Sequence, residues 1–342
     1  MAITIRDVAR EANVSLRTAT RVVNNEPHVR PGTRRIVQEA AVKLGWRPNA
    51  HARHLVRGRT DRIGVIIPDS RNTIFSDIGA AIEAEAQARG YDCLFLHSEG
   101  APQREAKFLN LAVDGSVDGL IVMANVLKEN HEIYDRLRED RIPMVFRAGP
   151  ETPGIVDLVA VDLEKAGYLV TSHLLNLGHQ HIGMILQEAA KDRQMGRLDG
   201  YRKAHEERGV SIHPEYKCYC GYRVEDGYHA MRSLLGHHPE ITAVFFHNDH
   251  LALGAFRAAR ELGRRVPQDI AVVGYDNIEL GRFCEVPLTT IGYSKELLGQ
   301  LLVEMICRRM KFPDHPPQRI VLPPELIIRE SCGYATARQH TP

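Results

Sequence analysis

The 342-residue chain contains no run of eighteen apolar residues, so no membrane-spanning helix is expected. No apolar segment of signal-peptide type stands at its start, so export is not expected either. The six cysteines, Cys93, Cys218, Cys220, Cys284, Cys307 and Cys332, include no CxxC pair. Cys218 and Cys220 would share one face of a strand and read as reduced, half-buried thiols rather than a metal or redox centre. HExxH spacing, a Walker lysine, a nucleophile elbow and a GxGxxG loop are all missing. His247-Asn248-Asp249-His250 and His179-Gln180-His181 have no third ligand at metal spacing. They read as a strand-to-helix turn and a connecting loop. No catalytic residue, metal or cofactor is therefore expected, and the chain does not read as an enzyme.

What is present is unevenly distributed. The chain is 44% hydrophobic and 25% charged, as in an ordinary soluble protein. Its net charge is only +1, yet residues 1–62 hold thirteen Lys and Arg against five Asp and Glu. That surplus of eight leaves the remaining residues with a deficit of seven. A basic head on an acidic body suggests that only the head meets nucleic acid.

The head opens with TIRDVAREANVSLRTATRVVN, residues 4–24. Thr4 can cap a first helix with Asp7 as its reciprocal partner. Ile5, Val8, Ala9 and Ala12 then fall at helical spacing. Ala12-Asn13 makes a turn, because Asn tolerates the left-handed conformation. Ser15 caps a second helix, with Ala19, Val22 and Val23 inward and Leu16, Arg17 and Arg21 outward. A third helix over 31–44 covers them with Ile36, Val37, Ala40, Ala41 and Leu44. It has Pro31 at its start and Gly45 beyond its end. This is the plan of a helix-turn-helix. The stretch 50–56 could form two further turns, marginal in isolation.

From Arg62 the pattern becomes strands alternating with helices. Strand-like runs fall at 63–68, 91–97, 119–124, 143–148 and 156–162. A second series follows at 181–187, 217–220, 243–248 and 270–276. Such alternation implies parallel sheets with helices on both faces. TTIGY, a helix over 294–310, and late strands at 319–323 and 325–331 complete the chain.

The spacing of TIRDVAREANVS, RVVN and LGWRPNAHARHL resembles the lactose/galactose repressor (LacI-type) family, and the likeness extends over residues 3–333. It implies a helix-turn-helix domain at 1–47, a hinge helix at 48–61 and a two-lobed α/β domain of the type I periplasmic-binding-protein plan at 62–333. Lobe 1 would be about 62–162 plus 292–323 and lobe 2 about 163–291 plus 324–333, with a tail at 334–342. The resemblance assigns DNA contacts to Thr4, Ser15, Leu16, Arg17, Thr20, Arg21, Asn24, Asn49, Ala52, Arg53, Leu55 and Arg57. Leu55 falls where the family pushes an apolar wedge into the minor groove.

Ligands of open parallel sheets sit beyond the carboxyl ends of the strands. The effector candidates are Asp69, Asn72, Phe75, Arg147, Lys191, Arg193, Arg197, Tyr222, Asn248 and Asp276. Three departures from the family stand out. Asn72-Thr73-Ile74-Phe75 lacks the usual Pro and one aromatic, Arg147-Ala148 replaces Asp-Arg, and Arg30 replaces a Ser or Thr cap. Lys191, Arg193, Arg197 and Arg147 would gather cations at one side of the cleft, with Asp69 and Asp276 at the other to take hydroxyls. That favours a sugar acid or sugar phosphate.

The expectation is a cytoplasmic, nucleoid-associated homodimer on a near-palindromic operator, acting as a sugar-controlled repressor. The ten residues after Cys332 hold no leucine heptad, so no helical tetramerisation module is expected. The alternatives are a stand-alone carbohydrate-binding protein and a sugar-acting α/β enzyme.

Overall fold

A computed structural model describes residues 3–24, 26–46, 59–123, 128–147, 156–188 and 195–333. The chain divides into two compact units, Met1–Thr60 and Asp61–Pro342.

The first unit holds α1 (Ile5–Glu11), α2 (Leu16–Val23) and α3 (Pro31–Lys43). The Asp7 carboxylate accepts from the Thr4 N–H at 2.9 Å and from its hydroxyl at 2.7 Å. These bonds hold the Asp7 carboxyl below the usual carboxylate range. Asn13 has φ +50°, and Ser15 Oγ accepts from Thr18 N at 3.1 Å. The turn and the second cap thus form where Asn and Ser supply them. Val8, Ala9, Ala12, Ala19, Val22, Val37 and Ala40 make a small core, with Trp46 and Leu44 packed against it. Two expected core residues are displaced. Ile36 is 47% exposed, because it lies a quarter-turn or more off the face shared by Val37, Ala40 and Leu44. Val23, in the last turn of α2, is only half-buried.

In the second unit, the first sheet has the order β11-β5-β4-β3-β1-β2. Its strands are β1 (Arg62–Ile67), β2 (Asp92–His97), β3 (Gly119–Val122), β4 (Met144–Phe146), β5 (Asp157–Val161) and β11 (Arg319–Leu322). All its pairs are parallel. The helices are α4 (Thr73–Ala88), α5 (Pro102–Val113), α6 (His131–Glu139) and, from late in the chain, α12 (Lys295–Lys311). The second sheet has the order β12-β10-β9-β8-β6-β7. It comprises β6 (Ile182–Gln187), β7 (Lys217–Cys220), β8 (Ala243–Phe246), β9 (Ala271–Tyr275), β10 (Thr289–Gly292) and β12 (Glu325–Ile327). Around it lie α7 (Leu163–Asn176), α8 (Met195–Arg208), α9 (Val224–His237), α10 (Asp249–Glu261) and the short α11 (Leu280–Phe283), for which the sequence showed no period.

β3, β5, β8 and β9 are buried at every residue, the mark of parallel strands covered on both faces. β12 is the exception to the parallel rule, pairing antiparallel with β10. It is also shorter than the expected 325–331. After Ile327 the ladder gives way to side-chain bonds: Arg329 N donates to Thr289 Oγ1 at 2.9 Å, and Ser331 Oγ donates to the Val272 carbonyl at 2.6 Å. The chain passes between sheets after β5, after β10 and after β11, three strands joining two lobes.

Several helices begin at the carboxyl ends of strands with side-chain caps. Asn72 Oδ1 accepts from Ile74 N at 3.2 Å, Asp162 from Lys165 N at 2.9 Å, Asn248 from Leu251 N at 2.8 Å, and Ser294 from Leu297 N at 3.1 Å. Each cap is worth about 1 kcal/mol. Together they fix where the strand-to-helix loops emerge. α7 and α8 approach so closely that a Cβ at Gly167 would lie 2.2 Å from the Arg197 carbonyl oxygen, and one at Gly200 would lie 2.0 Å from that of Glu164. Only glycine permits this contact, and it sets the first turn of α8.

Candidate functional site

Two surfaces invite inspection, one in each unit. In the first unit, α2 presents Leu16, 42% exposed, and Arg17, also exposed. Arg17 makes no hydrogen bond or ion pair with the described residues. Arg21 is already engaged: its Nε lies 3.2 Å from Glu26 Oε2, and its NH2 donates to the Pro27 carbonyl at 3.1 Å. Thr20 Oγ1 donates to the Leu16 carbonyl at 2.8 Å, and Ser15 and Thr4 serve as caps. Asn24 is half-buried at the C-terminus of α2. An exposed, unpaired guanidinium on the first turn of a second helix is placed as base-reading groups are in helix-turn-helix proteins. The hinge candidates Asn49, Ala52, Arg53, Leu55 and Arg57 lie outside the described residues.

In the second unit, groups from both lobes meet at the carboxyl ends of the strands. Arg147, after β4, donates through NH2 to Tyr293 Oη at 2.7 Å. Tyr293, beyond β10, donates in turn to Asp276 Oδ1 at 3.3 Å. Arg197, in the first turn of α8, lies flat on Tyr275, with its guanidinium carbon 4.2 Å from the ring centre. Its NH1 donates to His247 Nδ1 at 3.4 Å, which places the imidazole proton on Nε2. Phe75 is half-buried, 6.0 Å from the Arg147 guanidinium. The Nε atoms of Arg147 and Arg197 are buried with no hydrogen-bond partner among the described residues. Two guanidiniums with unspent donors in a desolvated place have the chemistry to bind an oxygen-rich acceptor.

The electrostatics follow from burial. Burial pushes the Asp276 carboxyl up to about 6, against the pull of Arg147, Arg197 and Lys295. Burial also lowers His247 well below the usual histidine range, and Arg197 and Arg147 lower it further. The imidazole is therefore neutral; among the described residues Arg147 and Arg197 face the Asp276 carboxylate, while Lys295, which also pulls on it, is paired with Asp77 at 2.6 Å. Asp276 sits on a constrained turn, with φ +111° followed by Asn277 at +51°. That turn is tied down from below. Asp249, pushed up to about 8 by burial, accepts from Thr290 Oγ1 at 2.6 Å and from Ile278 N at 2.9 Å. Arg329 NH2 donates to Asn277 Oδ1 at 2.6 Å.

A second group bridges the lobes. Arg71 grips Asp69 through Nε at 2.9 Å and NH2 at 3.1 Å. Its NH2 also reaches Tyr222 Oη at 3.3 Å. Thr73 Oγ1 lies 3.3 Å from His250 Nε2. Burial would raise Asp69, but the bonds from Arg71 hold it below the usual carboxylate range.

The expected arrangement of cations facing Asp69 and Asp276 is therefore corrected. Arg147 and Arg197 share one cluster with Asp276 instead of opposing it. Asp69 is saturated by Arg71 and has little left for a ligand hydroxyl. Asn72 and Asn248 spend their side-chain oxygens on helix caps, leaving only their NH2 groups to offer. Lys191 and Arg193 lie outside the described residues. Arg71, Thr73, Tyr275 and Tyr293 carry no signal of a site in the sequence. His247 and His250, which read as parts of a strand-to-helix turn, also lie here, and the place of His247 just after β8 carries the same signal as that of Asn248. His179 and His181 stand apart, bonded to Thr242 Oγ1 at 3.0 Å and to Tyr216 Oη at 3.1 Å.

A helix-turn-helix joined to a two-lobed domain with an interlobe cleft defines a class: DNA-binding regulators that carry a small-molecule receptor. Comparison with known proteins agrees. Residues 4–49 match the family described as bacterial regulatory proteins, lacI family, and residues 171–332 match the periplasmic binding protein-like domain. The HTH-type transcriptional repressor PurR of Mannheimia succiniciproducens is 35% identical over 330 residues, 96% of this chain and 98% of that protein. The lac repressor dimer bound to operator and the anti-inducer ONPF superimposes with a TM-score of 0.84 at 28% identity, covering 97% of this chain and 99% of the other. The transcriptional regulator CelR in complex with cellobiose gives a TM-score of 0.73 at 28% identity, covering 96% and 99%. The chain belongs to the LacI family of bacterial regulatory proteins. It is a DNA-binding transcriptional regulator and not an enzyme. Among the described residues, no helix is long and apolar enough to cross a membrane.

Proposed function

We propose that the chain is a cytoplasmic, homodimeric repressor whose hold on a near-palindromic operator is set by a sugar acid or sugar phosphate in the interlobe cleft. The observation that carries this reading is the pair of buried guanidiniums, Arg147 and Arg197, each with an Nε that has no partner among the described residues. A neutral sugar could use one such group. Two cations against the single carboxylate of Asp276 fit an anion better, because a buried cation left without a counter-charge costs free energy. The cellobiose in the CelR neighbour supports a carbohydrate frame. Leu16 and Arg17 read bases from the start of α2, and Leu55 wedges the minor groove. Binding in the cleft alters the lobe arrangement and so the hold of the head on DNA, a coupling between two sites through a two-state element.

Titration calorimetry with matched pairs tests the reading: glucose with gluconate, galactose with galacturonate, and glucose with glucose 6-phosphate. The anion of at least one pair should bind ten-fold or more tightly than its neutral partner. Tight binding of a neutral sugar with no gain for its anion sinks the idea.

A further inference from the structure

Asp276 sits where its charge must respond to what binds. Among the described residues, the charged and titratable groups around it come from several elements. Arg147 comes from the end of β4, and Arg197 from the first turn of α8. Lys295 opens α12, with its Nζ 2.6 Å from Asp77 and 3.0 Å from the Asn277 carbonyl. Tyr293 donates to Asp276, and Tyr275 precedes it in the chain. Asp249 lies beneath, and His247 bridges to Arg197. Arg147 reaches Asp276 through the Tyr293 hydroxyl, and both guanidiniums pull on its charge, so an anion laid against them would compete with Asp276 for that charge.

We propose that the effector is an anion whose binding is accompanied by the uptake of a proton on Asp276. The inference rests on the anionic-effector reading above and adds a sign that reading does not contain. A carboxylate or phosphate lying against both guanidiniums competes with Asp276 for the same positive charge. Two like charges sharing one site raise the pKa of the weaker acid. The proton comes from solvent and ends on a carboxyl oxygen of Asp276; no covalent bond to the ligand forms. A neutral polyol does the reverse. Its hydroxyls donate to ionised Asp276, hold that form, and release protons or none.

Burial pushes the Asp276 carboxyl up to about 6 before any ligand binds, which places the window there. Binding that raises this value is favoured by protons, so anion affinity is highest and flat below pH 6. It falls as pH rises above 6, by at most about tenfold per pH unit for one linked proton. His247 is the other group that could take the proton, because burial first, and then Arg197 and Arg147, hold it neutral.

The test uses the full chain and the carboxylates gluconate and galacturonate, which stay ionised across this window, unlike a phosphate monoester, whose second pKa is about 6. Calorimetry in two buffers of different ionisation heat, at pH 7 and at pH 5, counts protons directly. Uptake at pH 7 that vanishes at pH 5 is expected. Asp276→Asn removes the charge and keeps the shape; Asn also tolerates the positive φ of this turn. At pH 8 it should bind the anion at least as tightly as wild type, with no pH dependence left. An anion that binds without proton uptake, or more weakly to Asp276→Asn at pH 8, overturns the inference and leaves the anionic reading standing. Uptake that persists in Asp276→Asn and disappears in His247→Gln also overturns the assignment to Asp276. No anion binding more tightly than its neutral partner overturns the anionic reading, and this inference with it.

Discussion

The two units of this chain use arginine in opposite ways. In the first, Arg17 is exposed and solvated, ready to exchange water and counterions for a nucleic acid. In the second, Arg197 is 7% exposed and Arg147 is packed between Phe75 and Tyr293. The first kind of charge confers salt-dependent affinity. The second confers chemical selectivity, because a desolvated guanidinium discriminates strongly between a partner that satisfies it and one that does not. Mutations should therefore separate the two units by kind of effect as well as by size.

The largest effect is expected from a residue that touches no ligand. Gly167→Ala would put a methyl 2.2 Å from the Arg197 carbonyl oxygen. The first turn of α8 must shift, carrying Arg197 off Tyr275. Overpacking of this kind costs about 1–3 kcal/mol in stability. The displacement should lower anion affinity a hundred-fold or more in calorimetry. Affinity of the unliganded protein for operator fragments should stay within about two-fold, since the first unit folds on its own core. Equal loss at both sites would mean that the two units are not separable in this way.

Next in size is the cleft itself. Arg147→Gln removes one charge-assisted partner, worth about 1.5–3 kcal/mol. Anion affinity should fall roughly ten- to a hundred-fold, while affinity for the neutral partner changes little. A comparable loss for neutral and anionic partners would demote Arg147 to a scaffold for Tyr293.

Arg17→Ala sharpens the contrast from the other side. A bidentate arginine–guanine contact gives about 1–3 kcal/mol of discrimination. Competition binding across operator variants should show preference relaxed at one guanine per half-site, with effector affinity unchanged. Uniform weakening on every sequence would make Arg17 a phosphate contact instead.

How much of this was legible beforehand differs between the units. The helix-turn-helix could be read nearly residue by residue, because caps and turns are local chemistry: Thr4 with Asp7, Asn13, Ser15, Pro31 and Gly45 all act within a few residues of themselves. The order of strands and helices was equally plain, since buried parallel strands are continuous apolar runs. The cleft was not. That Asp69 belongs to Arg71 depends on a loop conformation no period reveals. That Arg147 and Arg197 lie near Asp276 depends on the ends of β4 and β9 meeting the first turn of α8. Tyr293 follows β10, a strand of the second sheet, and bonds Arg147 beyond β4 of the first. Such a contact is set by the interlobe crossing and not by spacing. The antiparallel β12 escaped notice for the same reason, because an edge strand's direction is decided by the connection that delivers it.

The smallest expected effect lies at the start of α3, where the sequence sets stability against DNA contact. Arg30 occupies the N-cap with φ −57° and ψ 137°, and its side chain makes no capping bond. The backbone is already in the extended geometry that Ser or Asp adopts there. Arg30→Ser would let a hydroxyl accept from the exposed N–H groups of the first turn, worth about 1 kcal/mol. It also removes a cation from the positive end of the helix dipole, worth about 0.3–1 kcal/mol. Hydrogen exchange at the Gly32 and Thr33 amides should slow about five-fold in the full chain. Yet a cation at a helix N-terminus is well placed for a phosphate oxygen, which the freed N–H groups also attract. If Arg30 makes such a contact, the stabilised variant should bind all operator sequences more weakly, with a salt slope shallower by about 1. Slower exchange with unchanged DNA affinity would show that the missing cap has no counterpart in DNA binding.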